Sequence, residues 1–119
     1  MHKPFLTTRK GALFAEDCTV LLKSMQSSCV DCVFADPPFN LGKDYKNGYH
    51  DKMAEFDYLR WCEGWITECC RVLRPGGAIF IYATPELAIK FGNILNRLVR
   101  FRHWIALTMK GTYSRGHSL

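Results

Sequence analysis

A chain of 119 residues, 48% hydrophobic and 13% aromatic, has the length and apolar content of one packed domain. It holds no run near the roughly 20 apolar residues that a membrane helix needs, and its start, Met1-His2-Lys3-Pro4, lacks the apolar stretch of a secretory signal, so an intracellular protein with no membrane partner is expected. The net charge of +5 is uneven: residues 1–70 carry 8 Lys and Arg against 10 Asp and Glu, whereas residues 71–119 carry 8 against Glu86 alone. Such a second half either faces a polyanion or spends its cations on helix ends and solvated helix faces.

The first apolar run, Leu13-Phe14-Ala15, is followed by Glu16-Asp17 and by Val20, Leu21, Leu22 and Met25 at helical spacing, which predicts a strand, a capping acid and a short helix. Gln26-Ser27-Ser28 turns the chain into a strand at Val30–Ala35, apolar enough to suit burial on both faces. That strand stops at Asp36-Pro37-Pro38-Phe39, because proline lacks an N–H, fixes its own φ and holds the preceding residue extended. The stop leaves a stiff tip with a carboxylate, two carbonyls with no competing local donor, and an aromatic face. A planar ligand bearing an amino group suits that set.

Residues 40–54 have no sustained period and are rich in Gly, Asn, Asp and Lys, which predicts a long loop of the kind that often carries function. Over residues 55–73, Phe56, Leu59, Cys62, Ile66, Cys69 and Leu73 step by three or four. Arg71, Arg74 and Pro75-Gly76-Gly77 then end the helix. A strand over residues 78–83 leads to Thr84-Pro85, a cap followed by a first helical position, and to a helix with Leu87, Phe91, Ile94, Leu95 and Leu98 on one face. Residues 103–109 predict one more long strand. The alternation is that of an α/β fold with a mostly parallel sheet, flanking helices and right-handed crossovers. Ligands bind such sheets beyond the carboxyl ends of the strands, the edge where residues 36–39, Thr84-Pro85 and Lys110-Gly111 fall.

Cys18, Cys29, Cys32, Cys62, Cys69 and Cys70 have neither the spacing nor the His partners of a closed zinc site, and are expected as reduced thiols, mostly buried. Trp61 and Trp65, four apart on a helix, are expected in core or partner contacts rather than as base-stacking platforms. His50, His103 and His117 show no ligand spacing.

Asp36-Pro37-Pro38-Phe39 resembles the Asp/Asn/Ser-Pro-Pro-aromatic signature of amino-group DNA methyltransferases that use S-adenosylmethionine. The flanks agree: Leu13-Phe14-Ala15-Glu16-Asp17-Cys18 before it, Asn40-Leu41-Gly42-Lys43-Asp44-Tyr45 after it, the segment Leu59 to Trp65, and Arg71-Val72-Leu73-Arg74-Pro75-Gly76-Gly77 ahead of a strand. Together they resemble the subgroup whose catalytic half comes first, over nearly all of residues 12–110. The family's glycine-rich cofactor loop, of Phe-x-Gly-x-Gly type, has no counterpart here. The resemblance therefore implies that residues 1–119 are the catalytic-motif half of a partial Rossmann-like methyltransferase domain, truncated before the target-recognition segment and inactive alone.

What the resemblance implies chemically is methyl transfer to adenine N6 in DNA. Cytosine N4 is the alternative chemistry, and an inactive remnant with weak nucleic-acid binding the alternative class. An exocyclic amine is a poor nucleophile because its lone pair is delocalised. Two hydrogen bonds, to the Asp36 carboxylate and the Pro37 carbonyl, would draw its nitrogen toward tetrahedral geometry, with Pro38 stiffening the turn. Phe39 offers a stacking face for a base flipped out of duplex DNA, and a ring near the sulfonium. By the same resemblance Asp17 and Asp36 are the expected cofactor contacts, Asp17 being otherwise a plain helix N-cap; Asn40, Lys43, Tyr45, Lys46 and Asn47 are expected either to contact phosphates or close over the flipped base beside Phe39, or to be solvated loop residues. A homodimer and a restriction-enzyme partner are left open.

Overall fold

In the computed structural model of the chain, the described residues are 2–41, 53–108 and 110. The order of elements is β1 (Leu6–Thr8), β2 (Gly11–Leu13), α1 (Cys18–Ser24), β3 (Val30–Ala35), α2 (Glu55–Val72), β4 (Leu73–Ile81) and α3 (Pro85–Asn96).

β3 and β4 form a parallel pair in the register Cys32↔Ala78, Val33↔Ile79, Phe34↔Phe80 and Ala35↔Ile81, with α2 as the crossover. The expected α/β organisation is therefore present as one parallel pair with helices. Buried Tyr58, Cys62, Trp65, Ile66 and Cys69 of α2 and Leu87, Phe91 and Ile94 of α3 make the core, onto which Val33, Ala35, Ile79 and Ile81 pack from one sheet face. Trp65 meets Phe91 edge-on, with ring centroids 6.0 Å apart.

Several expectations need correcting. Side chains alternate across a strand, and the alternate residues Phe34 and Phe80 are 71% and 44% exposed. Among the described residues β3 is thus covered on one face, not two. On α2 the apolar stripe is turned from the expected one: Phe56 is 74% exposed, while Tyr58 and Trp65 join Cys62 and Cys69 at steps of three and four. The apolar run near residue 13 is a strand only to Leu13, and pairs antiparallel with β1 across Arg9-Lys10. Residues 103–108 form no strand, and Trp104, Ile105 and Leu107 are exposed. A strand exists only by pairing with a neighbour, and none lies beside this stretch among the described residues. Cys18, Cys29 and Cys32 are exposed, so burial claims only part of the cysteine set.

The first part of β4, where the register shifts between Val30↔Leu73 and Cys32↔Ala78, is built on close backbone approach. Gly76 has φ +83°, and a Cβ on Gly77 would stand 2.9 Å from the carbonyl oxygens of Arg74 and Asp31. Only glycine fits both needs. Beside this stretch, Arg71 donates to the carbonyls of Leu22 (2.7 Å) and Met25 (2.9 Å), fastening the end of α1 to the end of α2.

Candidate active site

The parallel pair delivers residues 36–39 to the carboxyl edge of the sheet. The last ladder bond there is Tyr82 N–H to the Ala35 carbonyl, 2.9 Å, after which the prolines end the pairing. Asp36 is exposed, and Pro37, Pro38, Phe39 and Asn40 are half-buried. Among the described residues, no donor engages the Asp36 carboxylate or the Pro37 carbonyl.

The Pro38 carbonyl is different. The Tyr58 hydroxyl, from the first turn of α2, donates to it at 2.5 Å. Among the described residues the tip therefore keeps one prolyl carbonyl without a donor, not the two expected from the local sequence. Phe39 lies against Tyr82, centroids 5.9 Å apart and planes 39° apart. Asn40 adopts φ +60°, a left-handed conformation that asparagine tolerates better than most residues. Its side-chain amide donates to the Met53 carbonyl (2.9 Å) and accepts from the Met53 N–H (2.6 Å), imitating the paired bonds of a strand ladder. A cavity of about 290 Å³ opens beside the tip, lined by Phe39, Asn40 and Tyr58 on one side and Thr84 and Lys90 on the other. Lys43, Tyr45, Lys46 and Asn47 lie outside the described residues.

Asp17 is placed by a separate element. It is the N-cap of α1, accepting from Thr19 N–H (2.8 Å) and from the Thr19 hydroxyl (2.6 Å). Those hydrogen bonds, the hydroxyl's first, hold its carboxyl below the ordinary range against a weaker opposing effect of desolvation. Of the two acids expected at the cofactor, Asp36 has the chemistry to suit a cationic sulfonium, being exposed, without a donor among the described residues and close in sequence to the half-buried ring of Phe39. Asp17 fits less fully, because one of its oxygens is already occupied twice.

The basic half of the chain is in part neutralised internally. Arg74 pairs with Asp31, Lys90 with Glu55 and Glu86, and Arg97 with Glu63 at 3.0 Å. Buried thiols are poor nucleophiles here: desolvation pushes Cys62 up, and pushes Cys69 up to about 11, so both stay protonated at neutral pH. The Tyr58–Pro38 bond and the Asn40–Met53 tether are the contacts at the tip that sequence reading missed. The spacing of Tyr58 from Cys62 and Trp65 signals its burial, but nothing local signals that its hydroxyl reaches Pro38.

A family model described as DNA methylase, of the N6/N4 methyltransferases, matches residues 30–117. The chain belongs to that family. It is 46% identical over 108 residues to the type II methyltransferase M.BamHI of Bacillus amyloliquefaciens, covering 91% of this chain and 26% of that protein. It is 39% identical over 96 residues to the type II methyltransferase M.HpaI of Haemophilus parainfluenzae (78% and 30%), and 36% identical over 70 residues to the DNA adenine methyltransferase YhdJ of Escherichia coli K12 (59% and 24%). The chain thus spans 24–30% of the length of these relatives. Among the described residues, no helix is long and apolar enough to cross a membrane.

Proposed function

We propose that residues 1–119 form the catalytic-motif half of a site-specific DNA methyltransferase that transfers a methyl group from S-adenosylmethionine to adenine N6, with activity residing in a longer chain. The observation that carries this reading is an open carboxylate, Asp36, followed by the open carbonyl of Pro37 and the half-buried ring of Phe39 at a sheet's carboxyl edge. Within the family, aspartate at the first motif position is commoner among adenine enzymes and serine among cytosine N4 enzymes, in keeping with the name of the YhdJ relative.

Bound there, S-adenosylmethionine supplies an electrophilic methyl group on a positively charged sulfur. Asp36 would accept one N–H of the flipped base's amine and Pro37 the other, localising the nitrogen lone pair for in-line attack on the methyl carbon; the C–S bond would break as the C–N bond forms, S-adenosylhomocysteine would leave, and the surplus amine proton would pass to solvent. Phe39 stacks on the base and keeps water from that side. Asp36 lies nearest the reacting methyl in this reading. Asp17 adds a secondary contact toward the adenine side of the cofactor. Asn40, Lys43, Tyr45 and Lys46 are assigned to the substrate side, where Asn40 acts by bonding the backbone of Met53, thirteen residues on.

The test is direct. The longer enzyme is incubated with duplex DNA and S-adenosylmethionine, and the DNA is digested to nucleosides; N6-methyladenine is the expected product. N4-methylcytosine without N6-methyladenine would replace the adenine assignment with its cytosine counterpart. Absence of any methylated nucleoside would overturn the enzymatic reading in favour of an inactive remnant.

A further inference from the structure

Tyr58 touches the tip without being one of its acceptors. Resting on the amine-methylation reading above, we propose that Tyr58 is a positioning residue for that chemistry: its hydroxyl holds the Pro38 carbonyl out of the acceptor set, so the target amine meets the Asp36 carboxylate and the Pro37 carbonyl and no third oxygen.

The direction of the Tyr58 hydroxyl is set by packing. Its side chain is 2% exposed, its N–H bonds to the Ala54 carbonyl at 2.9 Å as α2 begins, and its ring lies 5.9 Å from that of Trp61. A buried ring with so fixed a base gives the hydroxyl little freedom, and it reaches the Pro38 oxygen at 2.5 Å. That oxygen and the Phe39 N–H are opposite ends of one planar peptide unit. Holding the oxygen therefore fixes the plane by which the chain leaves the tip, and with it the approach of the Phe39 ring to Tyr82.

Without that bond, Pro37 and Pro38 would offer two similar carbonyls, and an amine could choose either as the partner of Asp36. Only one choice aims the nitrogen lone pair along a given methyl trajectory. A carbonyl has two lone pairs, but the Pro38 oxygen is turned toward the buried face of α2 rather than outward. Selecting the acceptor beforehand is a form of preorganisation, where displacements of about 1 Å cost up to about 100-fold in rate.

The experiment replaces Tyr58 in the longer enzyme by Phe, which keeps the buried ring and removes the hydroxyl, and measures single-turnover methyl transfer per counted active site. The expected result is a kcat lowered about 10- to 100-fold, with KM for DNA and for S-adenosylmethionine within about two-fold of wild type. Incorporating 3-fluorotyrosine at position 58 restores a donor and is expected to restore the rate. It also keeps the question answerable if Tyr58→Phe folds poorly. A rate per active site that is unchanged in Tyr58→Phe, or that stays low when the fluorinated phenol is supplied, overturns the inference. An inactive wild-type enzyme is a different failure, since it removes the methylation reading itself.

Discussion

Asp17 and Asp36 each follow a strand, and each is an acid that the sequence offers to the cofactor, yet their surroundings divide their work. The carboxylate of Asp17 is spent on the backbone and hydroxyl of Thr19, two residues on. That of Asp36 has no donor among the described residues, because Pro37 and Pro38 lack the N–H groups that would otherwise fold back on it. One acid stabilises a helix by local satisfaction; the other is kept available by local denial.

The largest expected effect comes from the available acid. Asp36→Ala in the longer enzyme should reduce methyl transfer by at least about 100-fold, the scale on which a preorganised polar group is lost from a reacting centre. Its melting temperature should stay close to wild type, because the side chain removed is exposed and has no donor among the described residues. A large drop in melting temperature alongside lost activity would show that Asp36 also serves the fold, and would erase the contrast with Asp17.

Next in size is the tether beside the tip. Asn40→Gly keeps the left-handed backbone but removes both bonds to Met53, and should slow transfer about 10-fold while costing about 1–2 kcal/mol of stability in urea unfolding. Asn40→Ala adds a left-handed penalty of about 1 kcal/mol to the same loss. If the two variants unfold at the same urea concentration, the positive φ matters less than the structure indicates.

Smaller effects belong to Asp17. Asp17→Ala should cost about 1 kcal/mol as a lost helix cap, while Asp17→Asn, an equally good cap, should leave stability near wild type. In the Asn variant a KM for S-adenosylmethionine raised a few-fold, at unchanged kcat, would mark the secondary cofactor contact; an Asp17→Asn enzyme that loses kcat as Asp36→Ala does would abolish the division between the two acids.

The smallest expected effect is in pH. Hydrogen bonding lowers the folded-state pKa of Asp17 below the unfolded value of 3.8, so its contribution is complete above that pH and is lost as pH falls from 3.8 through the folded pKa. Acid titration of wild type and Asp17→Asn, followed by helical circular dichroism, should show curves that diverge only in that acidic window.

What sequence made legible was what local chemistry decides. The end of α2 at Arg71 and Pro75-Gly76-Gly77, and the start of α3 at Thr84-Pro85, are set within a few residues by caps and by missing donors, and both stand within a residue or two of the expected places. The β1–β2 hairpin escaped notice because Arg9-Lys10 is not a turn dipeptide such as Asn-Gly. Residues 103–108 have a strand's composition, but pairing is a property of neighbours and not of composition. The tip divides in the same way. Its stiffness is written in two adjacent prolines, whereas the choice between their carbonyls depends on a hydroxyl 20 residues away in sequence.

The paired hydrogen bonds of Asn40 to Met53 have a consequence for how such a chain can diversify. Since one amide clasps both edges of the intervening sequence, the length of that sequence is uncoupled from the tip it borders. Lengthening a closed segment is penalised only logarithmically, at about 0.6 kcal/mol per doubling. Insertions and deletions between these two residues can therefore accumulate while residues 36–39 keep their places.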